Sequence, residues 1–163
     1  MFNQRMRVGA IASVFGSVFG TIAIDSIINA PPSRADLRGN LTVEISGLNN
    51  QDGDVCLSLF NGSRGFPSDE QRALDAECVE ISTLPVQVTF DNLIYGSYAI
   101  AAYHDKNQDA QLNQGLFGIP TEGFAFSNDA PAPTGPASFQ DAVFFLSQQD
   151  TTIQIQMRYL SDR

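Results

Sequence analysis

The chain has few of the residues that build nucleic-acid-binding surfaces and metal centres. Its 163 residues contain a single lysine, Lys106, and a single histidine, His104. Eighteen acidic side chains against nine basic ones give a formal net charge of −9. Nucleic acids and anionic lipid surfaces are bound by clustered Lys and Arg, so this balance argues against both as partners. One histidine also excludes a multi-histidine metal centre.

The amino terminus has the layout of an export signal. Arg5 and Arg7 precede an apolar run over residues 8–24, and small residues then lead to Ala30. This order is typical of a secretory signal peptide. We expect residues 1–30 to be removed, leaving an exported protein that is periplasmic or extracellular. An uncleaved membrane anchor is the alternative, although about 17 apolar residues are at the short limit for a bilayer span.

Cysteine is rare, with only Cys56 and Cys78 in the chain. An even pair in an exported protein is usually a disulfide. Both residues alternate with aliphatic side chains in their predicted strands, so both point away from the aliphatic face. If the two strands are neighbours, a disulfide would close a loop of about 23 residues and stabilise the fold by about 3 kcal/mol. Two free thiols are the alternative, and a metal site is disfavoured because nothing nearby supplies further ligands.

Apolar and polar residues alternate with a period of two through most of the remaining chain. This pattern is typical of strands with one face in a core and one in water. We predict an all-β, antiparallel β-sandwich over residues 40–160, of transthyretin-like or immunoglobulin-like type, preceded by a linker at residues 31–39. One short helix is predicted over Ser68–Ala76, capped by Ser68. The seven predicted strands are 40–47, 54–60, 77–82, 85–91, 97–104, 140–147 and 151–159.

A corner between two predicted strands sharpens the fold class. The phrase from Phe90 through Leu93 and Gly96 to Tyr98 is similar to the corner of transthyretin-like bacterial surface domains. The resemblance implies that Gly96 permits the tight turn while the other three side chains close the end of the core. It carries no information about activity.

Residues 104–139 interrupt the strand pattern and form the segment in which function is expected. A connection of this length in a compact domain is usually functional or mobile. Its Gly, Phe and Pro content predicts an ordered wrap over the sandwich edge, anchored by Phe117, Phe124 and Phe126. Aromatic side chains that would suit a glycan ligand are Tyr95, Tyr103 and Phe124.

Within this segment, oxygen-bearing side chains follow the spacing of a calcium loop. Two positions do not fit, because Ala110 stands where the loop needs glycine and Leu116 where it needs a bidentate acid. The alternative is an Asx-rich turn whose side chains cap their own backbone. The calcium-ligand candidates are Asp105, Asn107, Asp109, Gln111 and Asn113.

A catalytic interpretation of the same segment would use His104, Asp105, Glu122 and Ser127. Adjacent residues on a strand point to opposite faces, and no G-x-S-x-G motif surrounds Ser127. We therefore expect no catalytic residue. His104 is expected to end its strand and bond the following loop, and Glu122 to hold the loop as a buried acid.

With these motifs assembled, the chain resembles the bacterial family catalogued as domain of unknown function 2141 over roughly residues 40–160. That resemblance implies an exported β domain without an established activity. The family often has glycine at the position of Ala110 and an acid at that of Asn113, so the metal site is in doubt here. The segments that carry the resemblance are Gly47-Leu48, Leu59-Phe60, Phe66-Pro67, Gly96 to Ala99, His104 to Leu112, Gly118 to Gly123, Phe126 to Asn128 and Phe139 to Ala142.

The sequence thus predicts an exported sandwich module with a non-enzymatic binding or structural role in the cell envelope or outside the cell. Its expected partner is an envelope protein or a glycan, bound through residues 104–139. The alternative function is a small secreted hydrolase that uses His104, Asp105 and Glu122. No cofactor is expected unless the 105–113 segment binds calcium.

Overall fold

Two β-sheets contain most of the described residues, 37–160, of this computed structural model. The strands are β1 Arg38–Ser46, β2 Asp54–Phe60, β3 Asp75–Glu80, β4 Val86–Ile94, β5 Gly96–Asp105, β6 Phe124–Phe126, β7 Phe144–Leu146 and β8 Asp150–Gln156. One sheet has the order β4-β1-β8 and the other the order β3-β2-β5-β6, with β7 also paired to β5. All neighbours are antiparallel except β1 and β8, which run parallel. The all-β sandwich prediction is confirmed.

Four short helical segments complete the described part of the chain. They are α1 Phe139–Ala142 and the 3-10 turns Glu70–Arg72, Leu116–Gly118 and Ser127–Asp129. Within residues 37–160, no helix is long and apolar enough to cross a membrane. The predicted signal peptide and most of the predicted linker lie outside the described residues.

The main core lies between the two sheets and follows the period of two read from the sequence. Leu41, Val43 and Ile45 of β1 are fully buried, while the residues between them are partly exposed. Strand β4 alternates in the same way from Val86 to Asp91. At the corner between β4 and β5, the side chains of Phe90, Leu93 and Tyr98 are buried as expected.

Gly96 is not the residue that permits the tight turn at this corner, contrary to the expectation. Its φ lies outside the left-handed region, and an added Cβ would stand 3.8 Å from its nearest neighbours, an ordinary contact. The positive φ of the corner, 58°, belongs instead to Asn92. The backbone amide of Asn92 is bound by the Asn40 side chain at 3.0 Å, which supports that conformation.

Strand β2 is buried on both faces, unlike β1. Val55, Leu57 and Leu59 face the main core. On the opposite face Ser58 and Phe60 are also buried, and the ring of Phe60 packs edge-on against Phe66. A second apolar cluster therefore covers the outer face of the five-stranded sheet, and residues 112–142 supply most of it.

The two cysteines form a disulfide between neighbouring strands. Cys56 of β2 lies directly opposite Cys78 of β3 in the antiparallel register. Their sulfur atoms are 2.00 Å apart. The prediction from strand alternation, that both cysteines lie on the same face, is therefore confirmed.

Two predicted elements are wrong in kind. The first three residues of the predicted strand 140–147 belong to the helix α1, because the Ser138 hydroxyl accepts from the Asp141 amide at the helix start. The predicted helix over Ser68–Ala76 is only a 3-10 turn, and no side chain caps it. It ends early because the Leu74 amide bonds the Leu59 carbonyl at 2.7 Å, which starts the pairing of β3 with β2.

Candidate functional site

A groove of about 1000 Å³ lies on the outer face of the five-stranded sheet, the face covered by the second apolar cluster. We call it the sheet groove. Its floor is formed by β5 and β6, which are paired through Ala101–Phe126 and Tyr103–Phe124. The walls come from three connections that the sequence places far apart. These wall segments are residues 67–71, 110–120 and 132–136, with Leu160 at one end.

The parity of β5 explains why the groove has an apolar floor. Tyr98, Ile100 and Ala102 face the core between the sheets. Ala101 and Tyr103 face outward, where small and aromatic side chains leave space above the sheet. The 104–139 segment therefore wraps over a sheet face rather than over an edge.

A short hairpin over residues 113–121 forms one rim of the groove. The Thr121 amide bonds the Asn113 carbonyl at 2.9 Å, and the Gly115 amide bonds the Ile119 carbonyl at 2.8 Å. At its tip, Phe117 is 97% exposed. The prediction that Phe117 anchors the segment is wrong, because the tip projects beyond the elements that could cover it.

The remaining aromatic residues of the prediction divide between groove and core. Phe124 and Phe126 are buried anchors in the groove floor. Tyr103 is half-buried and lines the groove, whereas Tyr95 packs against the main core and does not line it. Two of the three proposed glycan-binding aromatics, Tyr103 and Phe124, are thus brought together.

The Tyr103 hydroxyl makes no hydrogen bond with any residue of the 37–160 range. Burial raises the pKa of Tyr103, and the negative charge of Glu70 is the next largest cause, followed by Asp105, Asp109 and Glu122. The hydroxyl therefore stays protonated at neutral pH. Among the described residues it is an unused hydrogen-bond donor on a side chain that lines the sheet groove.

Glu122 fixes the base of the 113–121 hairpin. Its carboxylate is 5% exposed, and its two oxygens accept from the Lys106 amide and the Asn113 amide, each at 2.9 Å. Both acceptor oxygens are thus used by the loop backbone. This geometry matches a buried acid that holds the loop.

His104 is fully buried and joins three segments of the chain. Its Nε2 lies 2.7 Å from the Asp52 carbonyl, which can only accept, so Nε2 carries a proton. Its Nδ1 lies 2.7 Å from the Tyr159 hydroxyl. The side-chain partners of His104 therefore lie before β2 and after β8. The prediction that the side chain of His104 bonds the loop that follows it is wrong. Sequence reasoning missed Tyr159, which appeared only as the last residue of an alternating strand.

Gly123 lets the chain pass close to Tyr159. A Cβ on Gly123 would stand 2.6 Å from two atoms of the Tyr159 ring and 2.8 Å from Met157 Cγ. The Gly123 carbonyl accepts from the His104 amide at 2.9 Å. A larger residue would push apart the segments that His104 joins.

Ser127 is placed away from His104. Its Oγ accepts from the Ile100 amide at 2.9 Å and donates to the Ala142 carbonyl at 2.5 Å. Since Ile100 and His104 are four residues apart on β5, the two sites are separated by about 13 Å along the strand. The structure therefore does not bring Ser127 and His104 together as a nucleophile and base.

The 105–113 segment forms a self-capped turn. Asp105, 1% exposed, accepts from the amides of Asp109 and Ala110 at 3.2 and 2.7 Å. Asp109 accepts from the side-chain amides of Asn107 and Asn113 at 2.9 and 3.0 Å.

These contacts occupy the carboxylate oxygens of Asp105 and Asp109, whereas Asn107 and Asn113 bond through their side-chain NH₂ groups. The Gln111 amide also bonds an Asp109 oxygen, at 3.0 Å. Across residues 37–160 no three His, Cys, Asp or Glu side chains are grouped as metal ligands. Calcium binding at this turn stays a prediction, and a thermal melt in millimolar calcium against EGTA tests it through the shift of the midpoint.

Comparison with known protein families places this chain beside other bacterial sequences. The family model described as "uncharacterized protein conserved in bacteria" (DUF2141) matches residues 43–154, which span β1 to β8 and include the whole sheet groove floor. No curated protein and no solved structure matches the chain. The match extends over more than half of the sequence, and the chain therefore belongs to the bacterial DUF2141 family.

Proposed function

We propose that this protein is an exported, non-enzymatic binding module that holds an apolar ligand in the sheet groove. The observation that carries the proposal is the groove itself. A volume of about 1000 Å³ with a mostly apolar lining is at the upper end of the range for small-molecule sites. The groove is also shaped before any ligand arrives, because hydrogen bonds fix its walls.

Buried polar residues supply this rigidity. Glu122 fixes the hairpin rim, Asp105 fixes the turn before it, and Ser127 joins β5 to α1. Rigid walls reduce the entropy lost on binding, which favours affinity. The same contacts leave His104 and Glu122 buried, away from any substrate, and this favours binding over the alternative hydrolase function.

The exposed side chain of Phe117, on the rim of the groove, is a second observation that supports the proposal. The side chain lines the groove but is almost fully exposed in the free protein. Contact with an apolar ligand would remove its surface from water, which favours binding by about 25 cal/mol per Å². Exposed apolar side chains beside a concave site are typical of a binding surface.

A fluorescence titration with N-phenyl-1-naphthylamine, a neutral apolar probe, tests the proposal. We expect saturable binding that Phe117→Ser weakens by about five- to tenfold, while the free energy of unfolding stays unchanged. Phe145→Ser is the matched control, because Phe145 of β7 is also exposed, at 65%, but does not line the groove. Equal affinity for the two variants would contradict a site in the sheet groove.

Export is supported by the leader pattern and by the Cys56–Cys78 disulfide, since structural disulfides persist in oxidising compartments. Sequencing the amino terminus of the mature protein tests it directly. A start close to Pro31 is expected. Retention of residues 1–30 on the mature protein would contradict cleavage.

A further inference from the structure

We propose that the preferred ligand of the sheet groove is an organic cation, an ammonium or guanidinium group on an apolar body. The inference rests on the proposed function and names the ligand class of that same site. Three features of the groove carry it: the charge of its lining, the environment of Tyr103 and the apolar rim.

The lining of the groove is acidic. Among its described residues are two carboxylates, Asp69 and Glu70, and no Lys, Arg or His. Asp69 is paired with Arg72, which lies outside the lining, at 2.9 Å. Glu70 has no hydrogen-bond or ionic partner for its carboxylate within residues 37–160. One uncompensated negative charge thus faces the groove, where an anionic head group would be repelled.

The environment of Tyr103 adds a negative potential at the floor of the groove. Glu70 on the wall of the groove, then Asp105, Asp109 and Glu122, act electrostatically on Tyr103 and raise its pKa, after the larger effect of burial. Such a potential favours a cation near the ring. A cation over a tyrosine face gains a further cation–π attraction.

The aliphatic and aromatic residues of the groove accommodate the rest of the ligand. Phe117 and Ile119 on the rim, and Phe126 in the floor, provide apolar surface in the same groove as Tyr103. The net charge of −9 attracts cations to the molecule as a whole at low ionic strength. The groove thus combines an apolar body site with a site for positive charge.

Three probes that differ only in their head group test the charge preference. They are 4-phenylbutylamine, 4-phenylbutan-1-ol and 5-phenylpentanoate, titrated into ¹⁵N-labelled protein while the amide shifts of Tyr103 and Phe126 are followed. We expect the amine to bind about five- to tenfold more tightly than the alcohol, and the carboxylate to bind most weakly. Raising the salt concentration should reduce the difference between the amine and the alcohol.

Glu70→Gln identifies the charge responsible. We expect this variant to lose about two- to threefold of the affinity for the amine without a change for the alcohol. Glu44→Gln, on β1 of the other sheet, is the control and should leave both affinities unchanged.

The outcomes separate the two proposals. An alcohol that binds as tightly as the amine, or a carboxylate that binds most tightly, would overturn the cation preference and leave the sheet groove as a binding site. Binding of none of the three probes would overturn the proposed function as well.

Discussion

The Nδ1 atom of His104 lies 2.7 Å from the hydroxyl of Tyr159, and this hydrogen bond joins the end of β5 to the residues that follow β8. The Tyr159 hydroxyl in turn accepts from the Asn49 amide at 3.3 Å. The other ring nitrogen of His104 bonds the Asp52 carbonyl. The only histidine of the chain therefore connects three segments of the fold.

Replacing His104 with leucine should strongly destabilise the fold. His104→Leu removes both hydrogen bonds of the buried ring, to the Asp52 carbonyl and to the Tyr159 hydroxyl, and we expect a loss of about 2–4 kcal/mol in the free energy of unfolding. Tyr159→Phe removes only one hydroxyl and should cost about 1 kcal/mol. Urea unfolding of the two variants measures both values. A loss below about 0.5 kcal/mol for His104→Leu would show that the connection is not structural.

Replacing one of the two acceptor oxygens of Glu122 should lower the free energy of unfolding. Glu122→Gln places an NH₂ group against one of two backbone amides, so we expect a loss of about 1–3 kcal/mol and faster hydrogen exchange at Lys106 or Asn113. Glu44 offers a matched control, since its carboxylate also accepts two hydrogen bonds, from Gln87 and Gln154, but on the exposed surface.

Glu44→Gln is expected to change stability by less than about 0.5 kcal/mol. Similar effects for the Glu122 and Glu44 variants would contradict a special role for the buried carboxylate. Hydrogen exchange followed by mass spectrometry on the 106–121 peptides provides a second, local measurement.

Replacing Ala110 with glycine should stabilise the protein. Ala110 has a φ of 57°, in the left-handed region that costs a residue with a Cβ about 1–2 kcal/mol. Ala110→Gly removes this cost but increases the entropy of the unfolded chain, so we expect a net gain of about 0.5–1 kcal/mol. The control is Ala73→Gly, where φ is −64° and glycine should destabilise. A loss of stability for Ala110→Gly would be contrary to this expectation.

The turn that contains Asp109 should loosen in acid. Hydrogen bonds from the Asn113 side chain, then from the Asn107 side chain, lower the pKa of Asp109 below its ordinary value. A carboxyl with a lowered folded-state pKa stabilises the folded form above its unfolded pKa, and this contribution is lost as the pH falls through the folded value.

An NMR titration of the Asp109 carboxyl and the Gln111 amide, which donates to it, follows this loss. We expect the Gln111 amide shift to change with a midpoint below pH 3.8, the ordinary value for aspartate. Asp109→Asn should abolish the titration. A midpoint above the ordinary value would contradict the hydrogen bonds at this carboxylate.

Local patterns in the sequence were sufficient to predict most of the strands and part of the site, although not β6, which lies within the irregular segment. Apolar residues at i and i+2 indicate which side chains of a strand face a core. The boundaries of β1 and β4 could therefore be predicted to within a few residues. The same parity put Cys56 and Cys78 on one face, and the segment after β5 was recognised because it breaks the period. The role of Glu122 as a buried acid also followed from its position in that segment.

Relationships between distant segments could not be predicted in this way. The parallel pairing of β1 with β8, the contact of His104 with Tyr159 and the exposure of Phe117 depend on which elements become neighbours in space. Periodicity leaves these choices open because it specifies a face and not a partner. The sequence by itself determined an all-β chain with a disulfide-compatible cysteine pair and an irregular functional segment. Only the tertiary structure decided that this segment covers the outer face of a sheet and leaves a groove there, because a groove requires walls from segments far apart in the chain.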